Sequence, residues 1–270
     1  MFTNSHILPL TTSDNPIQVV QTFSQMPSSA TNLYGDFNLG LHVLDSPTSV
    51  HQHRMDLLSE LQQHYPSVNQ IHWLSQVHGN LVHHATQPHA CPISADAHIT
   101  DRPNVALAIM TADCVPIMLA DGAGNLGAIH AGWQGLAKSI IAETINYMNR
   151  QGAYQAPTRV YQAWIGACIA QANYEVDDNV KTQVLASLAR LSITVDDALS
   201  QSLFTPTRHG HYLANLAKVA ELQLQACGVQ QIYQSGLDSY SDPRFYSYRQ
   251  QSQQKSVATG RMATLIFCTD

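Results

Sequence analysis

Three side chains of this sequence have the chemistry to share one metal ion. Cys114 stands in Ala112-Asp113-Cys114-Val115-Pro116, at the mouth of a short apolar run. His130 ends another such run, just before Ala131-Gly132-Trp133, and His78 in Gln76-Val77-His78-Gly79 offers a third donor. A thiolate with two imidazoles suits zinc, and three protein ligands leave one coordination position open for water or substrate, as in catalytic rather than structural sites. Spacing alone carries little, because 14 histidines and five cysteines allow many such triples. Context carries more: each ligand ends a strand-like run, and the small residues Ala131-Gly132 let another group approach closely. The expectation is an enzyme with His78, Cys114 and His130 as both metal ligands and catalytic centre.

Those ligands need elements to hold them. Ser46-Pro47-Thr48-Ser49 opens a helix whose apolar stripe is Leu57, Leu58 and Leu61. Ile71 to Ser75 reads as a strand that delivers His78 beyond its end. Val105 to Met110, Val115 to Leu119 and Leu126 to Ile129 are uninterrupted apolar runs, the pattern of strands covered on both faces. Gly122-Ala123-Gly124 resembles a hairpin turn between two of them. Gly135 to Arg150 predicts a helix, Asp177 or Asp178 caps another, and Tyr212 to Cys227 predicts a third that stops at Gly228. Thr264 to Cys268 closes the chain as a strand. The irregular interleaving predicts an α+β fold with mixed sheets. With no linker or repeat in view, residues 1–270 are expected to form a single domain.

Composition narrows the function classes. The 270 residues are 44% hydrophobic, enough for a large core, and only 12% charged. A net charge of −6 without any Lys/Arg cluster argues against nucleic acid as a partner, since a phosphate backbone demands a basic stripe. A small-molecule substrate is compatible with it. No run of apolar residues is long enough to predict a membrane span. Met1 to Pro16 does not read as a signal peptide, and Cys91, Cys114, Cys168, Cys227 and Cys268 do not form a disulfide pattern. The expectation is therefore a reducing, cytoplasmic setting that keeps Cys114 a thiol.

The remaining histidines divide by position. His83 and His84 are neighbours on a strand and point to opposite faces, while His51 and His53 diverge on a helix. These four, with His6, His64, His72 and His89, are expected at the surface, whereas His42 and His98 lie nearer the site loops. Arg54, Lys138, Arg244, Arg249 and Arg261 are the cations available to an anionic substrate.

Several words together resemble the laccase-domain, YfiH-type family. They are Asn38-Leu39-Gly40-Leu41-His42, Gln76-Val77-His78-Gly79, Thr111-Ala112-Asp113-Cys114-Val115-Pro116, His130-Ala131-Gly132-Trp133, Phe245-Tyr246-Ser247-Tyr248-Arg249 and Thr259-Gly260-Arg261-Met262. They run in the family's order from about residue 32 to the C-terminus. The resemblance implies a layered α/β/β/α fold with two related halves, and zinc held by His78, Cys114 and His130. It also implies purine nucleoside phosphorylase activity on adenosine, inosine and methylthioadenosine, with adenosine deaminase activity beside it. Asn38 and Arg54 match positions that line the family's active site. Gln134, Ala167 and Leu237-Asp238-Ser239 depart from its usual arginine, proline and Cys-Thr step, which bears on substrate range.

Zinc at such a centre keeps Cys114 ionised and acidifies a bound water, chemistry that suits deamination at C6 of adenine. The acidic neighbours available to carry the proton are Asp96, Asp101 and Asp113. For phosphorolysis, Arg54 is expected to position phosphate, with Arg249 second and Asn38 offering an amide to base or sugar. Three rival readings remain: an amide hydrolase editing a peptidoglycan precursor, a copper polyphenol oxidase, and a zinc-stabilised binding protein that is not an enzyme. Copper fits less well. The His-X-His words, His51-Gln52-His53 and His209-Gly210-His211, do not neighbour Cys114 in sequence.

Overall fold

A computed structural model describes residues 6–24, 34–87, 92–151 and 159–269. In chain order, β1 (Ile7–Pro9) and β2 (Ile17–Thr22) precede α1 (Pro47–His64). Short strands follow: β3 (Gln70–His72), β4 (Leu74–Ser75), β5 (Val82–His84), β6 (Ile93–Ser94) and β7 (Ala97–Thr100). The three apolar runs become β8 (Val105–Thr111), β9 (Val115–Ala120) and β10 (Leu126–Ala131). Next come α2 (Trp133–Ala137), α3 (Ile140–Gln151), β11 (Gln162–Ile165), β12 (Glu175–Asp177) and α4 (Asp178–Arg190). The remainder is α5 (Asp197–Leu203), β13 (Phe204–Arg208), β14 (His211–Ala214), α6 (Leu216–Ala226), β15 (Gln231–Gln234), α7 (Tyr248–Gln253) and β16 (Met262–Cys268).

Two mixed sheets carry the molecule. One has the order β1-β2-β16-β8-β3, the other β15-β11-β9-β10-β7-β5. Most pairs are antiparallel; β3–β8, β5–β7 and β11–β15 are parallel. β8, β9 and β10 are buried along their whole length, as their apolar runs suggested. In β8, Leu107 and Ile109 join the core between the sheets, with Met118, Trp164 and Ile266. Ala106 and Ala108 face the other way, against Leu57 and Leu61 of α1. On the far side, Ile117, Leu119 and Ile129 of the second sheet meet Ile140, Ile145, Leu188 and Leu224. Period-two alternation thus feeds two cores from one strand. The result is a layered α/β/β/α fold with two halves, each a sheet backed by helix.

Several expected elements change on folding. The helix over Gly135 to Arg150 is two helices, because Ser139 takes a left-handed φ of 62° between α2 and α3. The apolar stripe is kept all the same, with Leu136, Ile140, Ile141, Ile145 and Met148 all buried. The helix over Tyr212 to Cys227 starts only at Leu216, capped by Asn215, since residues 211–214 pair as β14 between β12 and β13. Ile71 to Ser75 divides into β3 and β4, which belong to different sheets. Asp177 and Ser46 cap their helices as expected, and Gly228 follows α6 at φ 84°.

His72 is not at the surface: it is 7% exposed and its Nδ1 lies 2.8 Å from Nδ1 of the fully buried His98. His83, half-buried, stacks on it. These rings come together because β3 and β7 belong to facing sheets, a tertiary relation the local pattern does not encode. His84 is also half-buried, and His89 and Cys91 lie outside the described residues. The four described cysteines are all free. No helix among the described residues is long and apolar enough to cross a membrane.

Candidate metal centre

The site forms where the chain passes from one sheet to the other. β8 ends at Thr111 in the first sheet and β9 begins at Val115 in the second. The three-residue link holds Asp113 at φ 97°, an uncommon conformation for a side-chain-bearing residue, and it delivers Cys114. His130 arrives on the adjacent strand β10, in register with Pro116. His78 comes from the loop between β4 and β5, itself at φ 57°. Ligand atoms of His78, Cys114 and His130 all lie within 4.8 Å of one another. Residues 36 and 52 positions apart in sequence are thereby brought to one point, as their chemistry suggested.

The geometry fits a four-coordinate divalent ion. Cys114 Sγ stands 3.9 Å from His78 Nε2, against about 3.6 Å for sulfur and nitrogen on one tetrahedral zinc. His130 Nδ1 donates to Asp96 Oδ1 at 2.9 Å, which leaves Nε2 for the ion. His78 is exposed, Cys114 half-buried and His130 buried, so the centre opens to solvent on the His78 side. Gly132 makes the crowding tolerable, because a Cβ there would fall 2.9 Å from Cys114 Sγ and 3.3 Å from His78 Cδ2.

Electrostatics favour the charged forms of Cys114 and His130. Burial alone would push the Cys114 thiol up, but the charge of His130 and hydrogen bonds from both histidines bring it down to about 6. Burial would lower His130, yet the Cys114 thiolate and then Asp96 raise it to about 9. Without metal, the site is therefore a thiolate–imidazolium pair. Burial pushes Asp96 up too, but the bonds from His130, Gly79 and His78 leave it below the ordinary range.

Asp113, next to the thiolate, is held by a different set of partners. Its carboxylate accepts Ser239 Oγ–H at 2.8 Å and the Arg249 N–H at 2.6 Å. Ser239 is fixed by the Asp238 loop, which accepts the N–H of Ala170 and Tyr240 and the Asn173 amide. The departure at Leu237-Asp238-Ser239 thus lies in the support of the Cys114 link. Gln134 is half-buried on α2 beside Trp133, and Ala167 is buried, donating to Gln21 Oε1 at 3.0 Å.

The expected substrate residues fall in different places. Arg54 Nε and Nη2 both donate to Leu39 O, and its guanidinium lies 4.1 Å over the Trp73 ring. Arg249 Nη1 donates to Glu175 O, with the guanidinium 4.8 Å from the Tyr174 ring centre. Asn38 is fully buried and does not open onto the site. Its Oδ1 accepts the N–H of Gly40 and Arg261, and its Nδ2 donates to Asp45. In that position it braces the backbone of Arg261, whose side chain packs against Gly40. His42 is pushed down to about 4, first by loss of hydration and then by the charges of Arg261, Arg54 and the two site histidines. It is a neutral ring among cations.

Sequence reasoning named Asp96 only as one of three acids. Nothing in Ala95-Asp96-Ala97 marks it, because its partners lie 17 to 34 residues away. Of the others, Asp101 is exposed and faces His84 at 3.6 Å. The His51-Gln52-His53 word lies on α1, where His53 Nδ1 meets Asn38 O, and His209–His211 spans the β13–β14 hairpin. Among the described residues, His78, Cys114 and His130 are the only group of three or more His, Cys, Asp or Glu placed to hold a metal.

Comparison with known proteins bears on the family and the fold. The family described as multi-copper polyphenol oxidoreductase laccase matches residues 20–269. The purine nucleoside phosphorylase PA4543 of Pseudomonas aeruginosa is 33% identical over 240 residues, 88% of each chain. The purine nucleoside phosphorylase YfiH of Escherichia coli is 33% identical over 238 residues, 87% of each. Among solved structures, Neisseria meningitidis protein NMB0706 superposes with a TM-score of 0.80 at 27% identity, covering 98% of this chain and 100% of its own. YlmD of Geobacillus stearothermophilus gives 0.79 at 26% identity, covering 100% and 98%. With the ligand words, the layered fold and these matches in agreement, the chain belongs to the laccase-domain, YfiH-type family.

Proposed function

We propose that this protein is a zinc-dependent purine nucleoside phosphorylase acting on adenosine, inosine and methylthioadenosine, with adenosine deamination as a lesser activity. The observation that carries this reading is a His-Cys-His group open on one side, in a chain whose relatives bear the phosphorylase name over nearly their whole length. His78 Nε2, Cys114 Sγ and His130 Nε2 would hold the ion. When bound, zinc there supplies Lewis acidity toward an oxygen in the open position.

The chain's own residues supply the rest. Arg54 is oriented by Leu39 and Trp73, which hold Nε and Nη2 and leave Nη1 to meet a phosphate oxygen without first losing rotamer freedom. Arg249, bound to Glu175 O, is the second cation for that anion. His42, neutral at pH 7, offers a hydrogen bond rather than a charge. Phosphate then attacks the ribose C1′ as the glycosidic bond breaks, and the purine leaves with its electron pair and takes up a proton. Deamination asks for an acidic proton carrier facing the base. Asp96 and Asp113 are buried with their oxygens engaged, and Asp101 turns to His84, which is why phosphorolysis ranks first.

A copper oxidase requires several clustered ligand groups, and the His-X-His words stand on separate elements. The depressed Cys114 thiol beside His130 favours one further reading, an amide hydrolase with Cys114 as nucleophile. Product analysis separates them. Inosine and adenosine are incubated with the protein, with and without phosphate. Phosphate-dependent ribose 1-phosphate supports the phosphorylase, and inosine formed from adenosine supports the deaminase. Release of an amino acid from a nucleotide-linked muramyl peptide, without nucleoside cleavage, supports the hydrolase.

A further inference from the structure

One carboxylate touches the His130 ring and the backbone of His78. Asp96 is fully buried beside the start of β7. Its Oδ1 accepts the His130 Nδ1–H at 2.9 Å, the His78 N–H at 2.8 Å and the Val77 N–H at 3.1 Å, while Oδ2 accepts the Gly79 N–H at 2.6 Å. Its own carbonyl accepts the His130 N–H at 2.7 Å, which fixes the side chain relative to β10. Three consecutive backbone N–H groups converge on one anion only if the loop curls around it. That curl is the left-handed φ of 57° at His78, which a non-glycine residue does not adopt cheaply. A Cβ at Gly79 would lie 3.3 Å from Oδ2, so the loop is wrapped as tightly as its side chains permit.

We propose that Asp96 is the positioning residue of the metal centre, aiming both histidines at once. It holds the proton of His130 on Nδ1, so that the Nε2 lone pair faces the ion, and it curls the backbone that presents His78 Nε2 toward Cys114. It does not carry the proton of the reaction, because its oxygens are spent on these donors and none faces solvent. This inference rests on reading His78, Cys114 and His130 as a metal centre.

The test is zinc affinity, measured on the full-length protein by competition with a chromophoric chelator. Asp96→Asn keeps the volume and one acceptor oxygen but turns an NH2 group toward N–H donors. It is expected to weaken zinc binding by about 10- to 100-fold, the scale of losing a group that orients a ligating histidine. Equal affinity in Asp96→Asn and wild type would overturn the positioning role. Failure of the wild type itself to bind zinc would overturn the metal-centre reading instead. Should the variant not fold, histidine nitrogen NMR of the zinc-loaded wild type gives a separate readout. His130 is expected to carry its proton on Nδ1, slowly exchanging and hydrogen-bonded; a proton on Nε2 with zinc on Nδ1 would overturn the inference.

Discussion

At the scale of single residues, the Cys114–His130 pair ties metal uptake to protons. Raised to about 9, His130 stabilises the metal-free fold at pH values below the ordinary imidazole pKa, and this is lost as pH rises through about 9. Lowered to about 6, Cys114 contributes above the ordinary thiol range, and this is lost as pH falls through about 6. Each ion needs the other, so the pair stabilises the metal-free protein between those two values. Its melting temperature is expected to be highest in that window, and Cys114→Ser should flatten the profile. Because the thiol is already ionised at pH 7.5, zinc binding there should release about one proton, from His130; calorimetry in two buffers of different ionisation enthalpy reads this directly. Gly132→Ala places a methyl 2.9 Å from Cys114 Sγ and should weaken zinc binding about tenfold or more without touching a ligand. That His78, Cys114 and His130 come together was legible in sequence because their words, ordinary singly, are specific as a set. Asp96 was not, since Ala-Asp-Ala just ahead of a strand says nothing of the loop that will wrap it.

At the scale of elements, periodicity showed what is buried but not where the backbone turns. The stripe from Leu136 to Met148 is continuous, yet the helix breaks at Ser139. The break has a use: Lys138, just before it, donates from Nζ to His78 O and accepts the Asn80 amide, pinning the ligand loop. Ser139→Gly should therefore be neutral or better in chemical denaturation. In an unbroken helix the same change would cost about 0.5–1 kcal/mol, and a loss of that size would contradict the break. Asp177 caps α4 through the Val180 N–H at 3.0 Å, and Asp177→Ala should cost about 1 kcal/mol in the same measurement. The late start of α6 escaped the sequence because Tyr212 and Leu213 suit either state, and pairing with β12 and β13 decided it.

At the scale of the molecule, the two sheets must stay in contact for the Ala112–Cys114 link to keep its shape. Gln21 of the first sheet accepts the Ala167 N–H and Thr264 Oγ1–H, and Gly166 lies against this cluster. A Cβ at Gly166 would stand 2.6 Å from Thr264 Oγ1 and 2.9 Å from Gln21 Oε1, both buried. Gly166→Ala is expected to destabilise the protein by about 1–3 kcal/mol through overpacking, measured by urea unfolding. That these strands are covered on both faces was legible in the uninterrupted apolar runs, while the α/β/β/α layering came only with the family resemblance. The meeting of His72, His83 and His98 was not, because it depends on which strands face each other.

Elemental analysis of the purified wild type and of Cys114→Ala, paired with phosphorolysis of inosine by the same samples, tests the central claim most directly. The expected result is about one zinc per wild-type chain, set by a single His-Cys-His group. Phosphate-dependent release of ribose 1-phosphate should accompany it, and Cys114→Ala should lose both together. A Cys114→Ala protein that folds, holds no zinc and still cleaves inosine at the wild-type rate would contradict the account.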